Sequence, residues 1–256
     1  MTDTRAVPAA HLRKVRSFVR RPGRLTTAQR RALERLLPRY GIPGDARPPG
    51  DAGDARAPLD LDRLFGRRAE RVLDIGFGDG EAVVTCAANY PQLDYLGIEV
   101  HEPGIGHLLL LLEKTGLTNV RVIVADAADV IRERLRDASF DAVNLFFPDP
   151  WPKKRHHKRR LVQPAFVAEV ARVLRRGGLF HVATDWAEYA EHTRDVLARE
   201  PRLATVEPAV LCHNPLAFRP PTKFERRGRR LGHEVVDLHY MRIASPGDGA
   251  DATFGR

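Results

Sequence analysis

The sequence has few cysteines and no long apolar run. Cys86 and Cys212 are the two cysteines among 256 residues, and they are far apart and lack the spacing of metal ligands. We therefore expect reduced thiols in a cytoplasmic protein, with a single long-range disulfide as the alternative. No apolar stretch approaches the roughly 20 residues of a membrane span, and the N-terminus lacks the apolar core of a secretion signal. The sequence thus predicts neither a membrane anchor nor a metal site.

Acidic residues are outnumbered by basic ones. The 33 Asp and Glu residues stand against 42 Lys and Arg, which gives a formal net charge of +9 and an isoelectric point near 10.0. This charge favours an anionic partner, and nucleic acid is expected before a membrane surface. Hydrophobic residues make up 43% of the chain. At this length they are enough for one sizeable α/β domain with a buried core and a short extension.

Residues 1–60 are predicted to form a basic N-terminal extension with one helix. Thr26 and Gln29 have the spacing of a capping box, which places the start of that helix. The stretch from Gly41 to Pro58 is rich in Gly, Pro, Asp and Ala. It has little to bury, so it is predicted to be a flexible linker. Residues 247–256 are predicted to be a disordered tail.

Residues 61–246 are predicted to form one α/β domain, because short apolar strands alternate with helices. The first five strands are expected at Arg71 to Ile75, Asp94 to Glu99, Val120 to Val124, Phe140 to Phe146 and Leu179 to Thr184. Helices are expected at Glu81 to Asn89, His107 to Thr115, Ala128 to Leu135, Pro164 to Leu174 and Trp186 to Arg199. Such alternation is typical of a mostly parallel sheet with helices on both faces. Two late strands, Val206 to Leu211 and Glu234 to His239, complete a seven-stranded sheet. They have no long helix between them, so one strand near the C-terminus is expected to run antiparallel.

A glycine-rich loop follows the first of these strands, in the segment Asp74-Ile75-Gly76-Phe77-Gly78-Asp79-Gly80. Its glycines would let a ligand approach the backbone and the N-terminus of the next helix. The spacing GxGxG differs from the GxGxxG of dinucleotide sites, and Asp74 and Asp79 put negative charge where a pyrophosphate would lie. A cofactor with a cationic centre fits this field better, and S-adenosylmethionine carries both a sulfonium and an ammonium group.

Two further carboxylates come at the ends of the next two strands. Glu99 can accept both ribose hydroxyls of an adenosine, and Asp126 can take the exocyclic amine of adenine. Because parallel strands end at one edge of a sheet, Asp74, Glu99 and Asp126 are expected to meet there. Each one alone is equally well explained as a helix cap or a turn residue. Their combination with the glycine loop favours a cofactor site.

The segment after the fourth strand joins a rigid turn to a basic run. Two prolines exclude helix and fix Asp149 in the sequence Pro148-Asp149-Pro150, and Trp151 can stack on a base. The basic run from Lys153 to Arg160 can neutralise phosphates. Taken separately, these features are an ordinary turn and a solvated charged face. Beside a cofactor edge, they predict the site of an RNA-modifying enzyme.

Two more polar segments are expected near this edge. Thr184-Asp185-Trp186 ends the fifth strand. The segment Thr222 to Glu225 is expected in a loop flanked by prolines and arginines, where it can bring a hydroxyl, a cation, a ring and a carboxylate to a base. An ordinary charged connecting loop is the alternative for the second segment.

These segments together resemble the bacterial tRNA (guanine-N7)-methyltransferases. The matching segments run from about residue 16 to residue 242 and are RSFVRRPGRLT, DIGFGDG, GIEVH, NLFFPDPWPKKRHHKRRL, TDW and TKFE. The PDPW-basic and TKFE segments are specific to that family, whereas the glycine loop alone is not. The resemblance implies the Rossmann-like fold of class I methyltransferases and S-adenosylmethionine as the cofactor. It also implies methyl transfer to N7 of a guanosine in tRNA, at position 46 in the variable loop.

The resemblance also implies a role for each matching residue. Asp149 is implied as the catalytic residue. The implied cofactor contacts are Asp74, Gly76, Gly78, Glu99, Asp126 and Asp149. The implied substrate contacts are Lys153, Asp185, Thr222, Lys223, Phe224 and Glu225. RNA contact is implied along Arg155, His156, His157, Lys158, Arg159 and Arg160. Asp74 departs from the family pattern, since many relatives have Glu there, and so does Pro152, where a polar residue is expected.

Three alternatives remain open from the residues alone. One is a methyltransferase acting on another RNA or on protein. The second is an NAD-dependent dehydrogenase, although the loop spacing and its acidic residues count against it. The third is an RNA-binding module without catalysis. The sequence leaves open whether Asp149 stabilises the positive charge formed on the methylated guanine or reads the amide edge of the base, and we expect a monomer that binds tRNA.

Overall fold

The computed structural model describes residues 23–42, 58–230, 232 and 234–244, without the side chains of Phe224 and Arg229. The basic segment before residue 23, most of the predicted linker and the predicted tail after residue 246 lie outside the described residues.

A mostly parallel sheet forms the centre of the described part. Its strands are β1 (Gly41–Ile42), β2 (Arg71–Ile75), β3 (Asp94–Glu99), β4 (Val120–Val124), β5 (Phe140–Phe146), β6 (Leu174–Thr184), β7 (Leu203–Thr205) and β8 (Val236–Arg242). Their order is β1-β4-β3-β2-β5-β6-β8-β7. β8 runs antiparallel to both of its neighbours, and every other pair is parallel. The predicted fold class is confirmed, including the antiparallel strand near the C-terminus, and the two-residue β1 adds an eighth strand.

Helices cover both faces of the sheet. They are α1 (Thr27–Tyr40), α2 (Leu61–Phe65), α3 (Glu81–Asn89), α4 (Glu102–Thr115), α5 (Ala127–Arg134), α6 (Pro164–Val173), α7 (Ala187–Leu197) and α8 (Lys223–Arg230). Alternate residues of β2 point to opposite faces: Val72 packs with α1, α3 and α4, whereas Leu73 packs with α5, α6 and α7. Among the described residues, no helix combines the length and the apolar character needed to cross a membrane.

The helix of the predicted N-terminal extension packs directly on the main domain. Its capping box is present, since Thr26 N–H donates to Gln29 Oε1 at 2.9 Å and Gln29 N–H donates to Thr26 Oγ1 at 3.2 Å. Gln29 Nε2 also donates to the carbonyl of Pro103 at 3.0 Å, which fixes α1 against the start of α4. Immediately after α1, β1 pairs with β4. The contacts of α1 and β1 therefore tie the predicted extension to the sheet.

Several predicted element boundaries were wrong. Residues 206–211 were predicted as a strand, but β7 ends at Thr205 and Pro208–Leu211 is a 3₁₀ helix, because proline supplies no N–H for strand pairing. β6 begins at Leu174, five residues earlier than the predicted strand, and includes Gly177, which has a φ of +77°. α4 begins five residues earlier than predicted, because Pro103 occupies its first turn, where proline is tolerated.

Candidate active site at the carboxyl ends of the strands

The glycine loop, residues 76–80, lies between the carboxyl end of β2 and the N-terminus of α3. Gly76, Gly78 and Gly80 have φ values of +70°, +64° and +79°, a left-handed conformation that other residues rarely adopt. The backbone N–H of Gly76 donates to the carbonyl of Ile98 at 2.8 Å, which ties the loop to β3. The loop therefore lies where the sequence predicted it, and its contact with a cofactor stays a prediction.

Glu99, at the carboxyl end of β3, holds this loop in place. Its Oε2 accepts the backbone N–H of Gly78 at 3.0 Å, and its Oε1 accepts those of Val100 and His101 at 2.7 and 3.0 Å. A carboxylate has about four acceptor positions, so these bonds leave about one, on Oε2. The sequence predicted a carboxylate that accepts both ribose hydroxyls of an adenosine. The structure leaves Glu99 room for one such bond.

Asp74 is buried at the end of β2, with 5% of its surface exposed. Its pKa is raised to about 7, chiefly by burial; a hydrogen bond from Asn144 acts in the opposite direction, and the charge of Glu99 adds to the rise. Within the part of the chain that the structure describes, Asn144 Oδ1 is buried without a hydrogen-bond partner. Such an orphaned acceptor is costly, and here it lies beside a carboxyl that ionises near neutrality. A cationic ligand would stabilise both groups.

Asp126 follows β4 and caps α5. Its Oδ1 accepts the backbone N–H of Ala128 at 3.1 Å, and its backbone is extended, as is typical of an N-cap residue. Because β2, β3 and β4 are parallel neighbours, Asp74, Glu99 and Asp126 share one edge of the sheet, as predicted. Asp126 therefore has a structural role of its own, and its contact with an adenine amine remains a prediction.

The Asp149 turn, residues 147–151, leaves the same edge at the end of β5. Its first and last residues, Phe147 and Trp151, have φ values of +52° and +45°, which are unusual for side chains of this size. The Phe147 N–H donates to the carbonyl of Ala183 at 2.7 Å and so anchors the start of the turn on β6. Strained backbone of this kind is typical of functional sites, and the turn presents an exposed Asp149 at the sheet edge.

Arg160 anchors the other end of this turn. Its side chain is 1% exposed. Nε donates to the carbonyl of Pro150 at 2.9 Å and Nη2 donates to Glu188 Oε1 at 3.1 Å, while the guanidinium lies 5.4 Å from the ring centre of Tyr189. This burial argues against the RNA contact predicted for Arg160. RNA contact was predicted along the whole segment from Arg155 to Arg160, but the side chain of its last residue is buried.

The rest of the basic run forms a 3₁₀ helix, Lys154–Arg159, here called the basic 3₁₀ helix. Lys153, Lys154, Arg155 and Lys158 are exposed, which is compatible with the predicted phosphate contacts. Burial and the neighbouring cations, Arg155 first among them, lower the pKa of His156. The fixed cations of the helix therefore disfavour the protonated form of His156.

Trp151 is packed against the basic 3₁₀ helix. The Arg159 guanidinium lies 4.4 Å from its ring centre, and the His156 ring meets it edge-on at 5.7 Å. A base can stack on this indole only where Arg159 leaves a face uncovered. The prediction that Trp151 stacks on a base therefore requires either the opposite face of the ring or a movement of Arg159.

The TKFE segment begins a helix and was wrongly predicted to lie in a connecting loop. Thr222 precedes α8, and its Oγ1 accepts the backbone N–H of Glu225 at 3.1 Å, which is a helix-capping bond. Lys223 Nζ lies 2.6 Å from Asp79 Oδ2 in the glycine loop. Arg226 Nη2 lies 3.4 Å from Glu81 Oε2 at the start of α3. These ion pairs draw α8 toward the glycine loop; the side chain of Phe224 lies outside the described part.

A narrow cleft separates α8 from the sheet edge. Its walls include Asp74, Gly76, Phe147, Thr222 and Lys223, and its volume is about 30 Å³, enough for one or two water molecules. On the outer side α8 packs on Asp185, since a Cβ added at Gly228 would lie 2.9 Å from Asp185 Oδ2. Thus four of the predicted cofactor and substrate residues, Asp74, Gly76, Thr222 and Lys223, line one cleft.

The sequence of this chain is similar to that of known enzymes along most of its length. A family model described as a putative methyltransferase matches residues 68–238. The tRNA (guanine-N(7)-)-methyltransferase of Alkalilimnicola ehrlichii is 57% identical over 246 residues, which cover 96% of this chain and 100% of the relative. The enzyme of the same name from Halorhodospira halophila is 54% identical over 229 residues, covering 89% and 95%.

A solved structure shows the same fold at lower identity. The 16S rRNA methyltransferase KamB aligns with a TM-score of 0.50 and 19% identity over 73% of this chain and 95% of its own. At this identity the match concerns the fold alone, which is the Rossmann-like fold of class I methyltransferases. The family match and the two relatives, in contrast, extend to the site segments, and this chain belongs to the family of the tRNA (guanine-N(7)-)-methyltransferases.

Proposed function

We propose that this chain transfers the methyl group of S-adenosylmethionine to N7 of a guanosine in tRNA, at position 46 of the variable loop. The observation that carries this proposal is the juxtaposition of two surfaces at one sheet edge. The first surface is formed by Asp74, Glu99 and Asp126 at the carboxyl ends of β2, β3 and β4. The second is formed by the exposed cations of the basic 3₁₀ helix, which the Asp149 turn connects to the same edge. The names of the close relatives support the same activity.

The residues at the acidic edge fit S-adenosylmethionine. Asp74 would accept from the ammonium group, Glu99 has an acceptor position for a ribose hydroxyl, and the free oxygen of Asp126 would take the adenine amine. The glycine loop lets the cofactor approach the backbone without side chains in the way. When bound, the cofactor supplies an electrophilic methyl group.

The chain has little proton chemistry to perform. Guanine N7 carries a lone pair at neutral pH, so no residue has to remove a proton before methyl transfer. The main contribution is positioning, and an in-line approach alone can lower the barrier by several kcal/mol. Methylation leaves positive charge on the guanine ring. Asp149 is proposed either to stabilise this charge or to accept a hydrogen bond from the amide edge of the base.

The substrate is proposed to lie across the outer surface of the edge. Lys153 and the basic 3₁₀ helix would contact phosphates, while Asp185 and the start of α8 would contact the base and ribose. The cleft must widen for a nucleoside to enter, and breaking the Lys223–Asp79 ion pair is the simplest route. Lys223 would then be available for the tRNA. We propose that the enzyme acts as a monomer in the cytoplasm.

The proposal is tested by mass spectrometry of each acceptor after incubation with the purified chain and S-adenosylmethionine. Separate pools of tRNA, ribosomal RNA and protein serve as acceptors, and a tRNA with adenosine at position 46 controls for the site. We expect 7-methylguanosine in tRNA alone, lost with the position 46 substitution. Methylation restricted to ribosomal RNA or protein would contradict the proposed substrate.

Asp149→Asn is the matched catalytic variant in this assay. It keeps the size of the side chain and removes its charge, so we expect kcat to fall by about a hundredfold or more. The Kd for tRNA, measured by filter binding, should stay within about twofold, because Asp149 contacts one base in a large interface. Near-normal turnover of this variant would remove Asp149 from the mechanism.

A further inference from the structure

Four cations share one side of α8 and form a row here called the α8 stripe. They are Lys223, Arg226, Arg227 and Arg230, and all four are exposed. They occupy positions i, i+3, i+4 and i+7 of the helix, which places them next to one another on its surface. The row is about 10 Å long. Glu225 and Gly228, by contrast, are buried on the side that faces the domain.

The α8 stripe is unfavourable for the helix on its own. Like charges three and four residues apart repel each other on a helix surface. The stripe also begins with Lys223 at the first residue of α8, where a cation opposes the helix dipole. Anionic groups placed along the stripe would remove both costs.

The described part of the chain supplies such groups for only half of the stripe. Its first two cations form the ion pairs with the glycine loop and with the start of α3. Arg230 Nε donates to the carbonyl of Arg226 at 3.2 Å. Among the described residues, no carboxylate pairs with Arg227 or with Arg230. Two adjacent guanidinium groups on one helix face are thus left to an external anion.

The α8 stripe and the basic 3₁₀ helix lie toward opposite faces of the sheet. α8 is paired with the start of α3, which packs on the same face as α1 and α4. The basic 3₁₀ helix is followed by Arg160, which bonds to Glu188 of α7, on the face of α5 and α6. Between them lies the cleft, where Lys223 of α8 and Phe147 of the Asp149 turn both form part of the wall. A strand of RNA that brings a base to this cleft has exposed cations on both sides.

A nucleic-acid backbone matches the chemistry of the α8 stripe. Guanidinium groups bind phosphates with two parallel hydrogen bonds, and a row of them suits successive phosphates of one strand. We propose that Arg227 and Arg230 bind the tRNA backbone on the α3 side of the target guanosine, while the basic 3₁₀ helix binds it on the α7 side. This inference rests on the proposed function, because it names a second surface that holds the tRNA of that reaction.

The test is a double variant, Arg227→Gln with Arg230→Gln. Glutamine removes the charge and keeps a good helix former at each position. Filter binding of tRNA at four or more salt concentrations gives the slope of log Kd against log salt. We expect this slope to decrease by about 1 to 2, and the Kd at physiological salt to rise by about tenfold. The loss should appear in the KM for tRNA rather than in kcat, because neither arginine lines the cleft.

The matched control is Arg176→Gln with Arg199→Gln. Both arginines are exposed, and they lie at the opposite edge of the sheet, at the start of β6 and just after α7. The control removes the same net charge, so it shows any effect of total charge alone. We expect a wild-type slope and a wild-type Kd for tRNA. Melting temperatures of both double variants show that they are folded.

A third variant joins the α8 changes to Arg155→Ala in the basic 3₁₀ helix. If the two surfaces hold different phosphates, the decreases in slope should add. A combined decrease no larger than that of Arg155→Ala alone would overturn the arrangement on two sides of the base.

The remaining outcomes separate this inference from the proposed function. A smaller slope in the α8 variant, with a wild-type slope in the control, supports the inference. A wild-type slope in the α8 variant, or an equal decrease in the control, overturns it and leaves methyl transfer to tRNA standing. A wild-type chain that methylates ribosomal RNA or protein but not tRNA would overturn the proposed function, and with it the placement of the α8 stripe beside a target guanosine.

Discussion

At the scale of single residues, burial shifts the ionisation of Asp74. Its pKa is raised to about 7, with burial as the largest cause, so protonated and ionised carboxyl groups coexist at neutral pH. An ordinary aspartate is fully ionised there. If the carboxylate form accepts the ammonium group of the cofactor, the proton must leave before or during binding. Cofactor affinity then depends on pH through this one group.

We expect the Kd for S-adenosylmethionine to fall about tenfold between pH 6 and pH 8, relative to Asp74→Asn measured in parallel. The variant removes the titrating group, and the titration of the cofactor's own amine cancels in the ratio of the two Kd values. Calorimetry at several pH values measures both proteins. A ratio that does not vary with pH would show that ionisation of Asp74 is not coupled to binding.

The same pKa shift has a consequence for stability with a defined sign. The unfolded chain ionises Asp74 near its ordinary pKa, whereas the folded chain keeps the proton up to about pH 7. Between these values the folded state binds more protons, so its free energy of unfolding falls as the pH rises and levels off above the folded pKa. Asp74→Asn should reduce this slope in urea titrations, which provides a control that needs no cofactor.

At the scale of elements, the sequence predicted the parallel strands well and the C-terminal segments poorly. Each parallel strand is a short apolar run between turn residues, and both of its faces are buried, so the signal is strong. α8 has the opposite character, because half of its eight residues are arginine and Gly228 lies inside the helix. It is stabilised by the Thr222 cap and by contacts with the glycine loop, which no local pattern predicts. β7 has only three residues, too few for a recognisable period.

The acidic part of the site was predictable because the parallel strands that carry it were predictable. The meeting of Asp74, Glu99 and Asp126 follows from the rule that parallel strands end at one edge. The anchoring role of Arg160 does not follow from any rule about neighbours in sequence. Its carboxylate partner, Glu188, is 28 positions away. Such contacts become visible only once the chain has folded.

The contrast between Arg160 and the exposed Arg155 gives a prediction for the basic run. Arg160→Ala removes the bond to the Pro150 carbonyl and the ion pair with Glu188. We expect kcat to fall by about tenfold or more and the free energy of unfolding to fall by about 2 kcal/mol, with the salt dependence of tRNA binding unchanged. Arg155→Ala should instead lower the slope of log Kd against log salt by about 1, with little change in stability.

Filter binding at four or more salt concentrations, chemical denaturation and steady-state kinetics measure these three quantities. Arg160→Ala should lower kcat and stability but not the salt slope, whereas Arg155→Ala should lower the salt slope with little change in stability. Both variants remove one arginine from the same segment. A lower salt slope in Arg160→Ala would restore it as a phosphate contact. A loss of kcat in Arg155→Ala without a change in slope would mean that the basic 3₁₀ helix shapes the turn rather than binds RNA.

At the scale of the whole molecule, charge is segregated by depth. The chain is strongly basic overall, with a net charge of +9, yet the strand ends at the centre of the site are acidic. A cofactor with a cationic centre is attracted to the inner carboxylates, and a polyanion is attracted to the exposed cations around them. The two ligands therefore do not compete for the same surface. This arrangement lets both be present at once, which methyl transfer requires.

The start of the described chain lies at the same edge. Gly23 packs so closely on α4 that an added Cβ would lie 2.7 Å from Pro103 Cγ and 2.9 Å from His101 Nε2. His101 follows Glu99 by two positions, so the segment before residue 23 is attached beside the proposed cofactor site. That segment carries a cluster of cations at Arg13, Lys14, Arg16, Arg20 and Arg21. From its attachment point and its charge, we predict that this segment contacts tRNA.

Deletion of residues 1–22 is therefore expected to raise the KM for tRNA by about tenfold or more at physiological salt, since several phosphate contacts would be lost. The Kd for S-adenosylmethionine should not change, because the capping box of α1 and the Gly23 contact are retained. A full-length variant with the five clustered cations changed to glutamine should reproduce the effect if charge is the cause. An unchanged KM in both variants would show that the tRNA is held without this segment. A rise in the deletion alone would point to a role for its backbone or apolar residues instead.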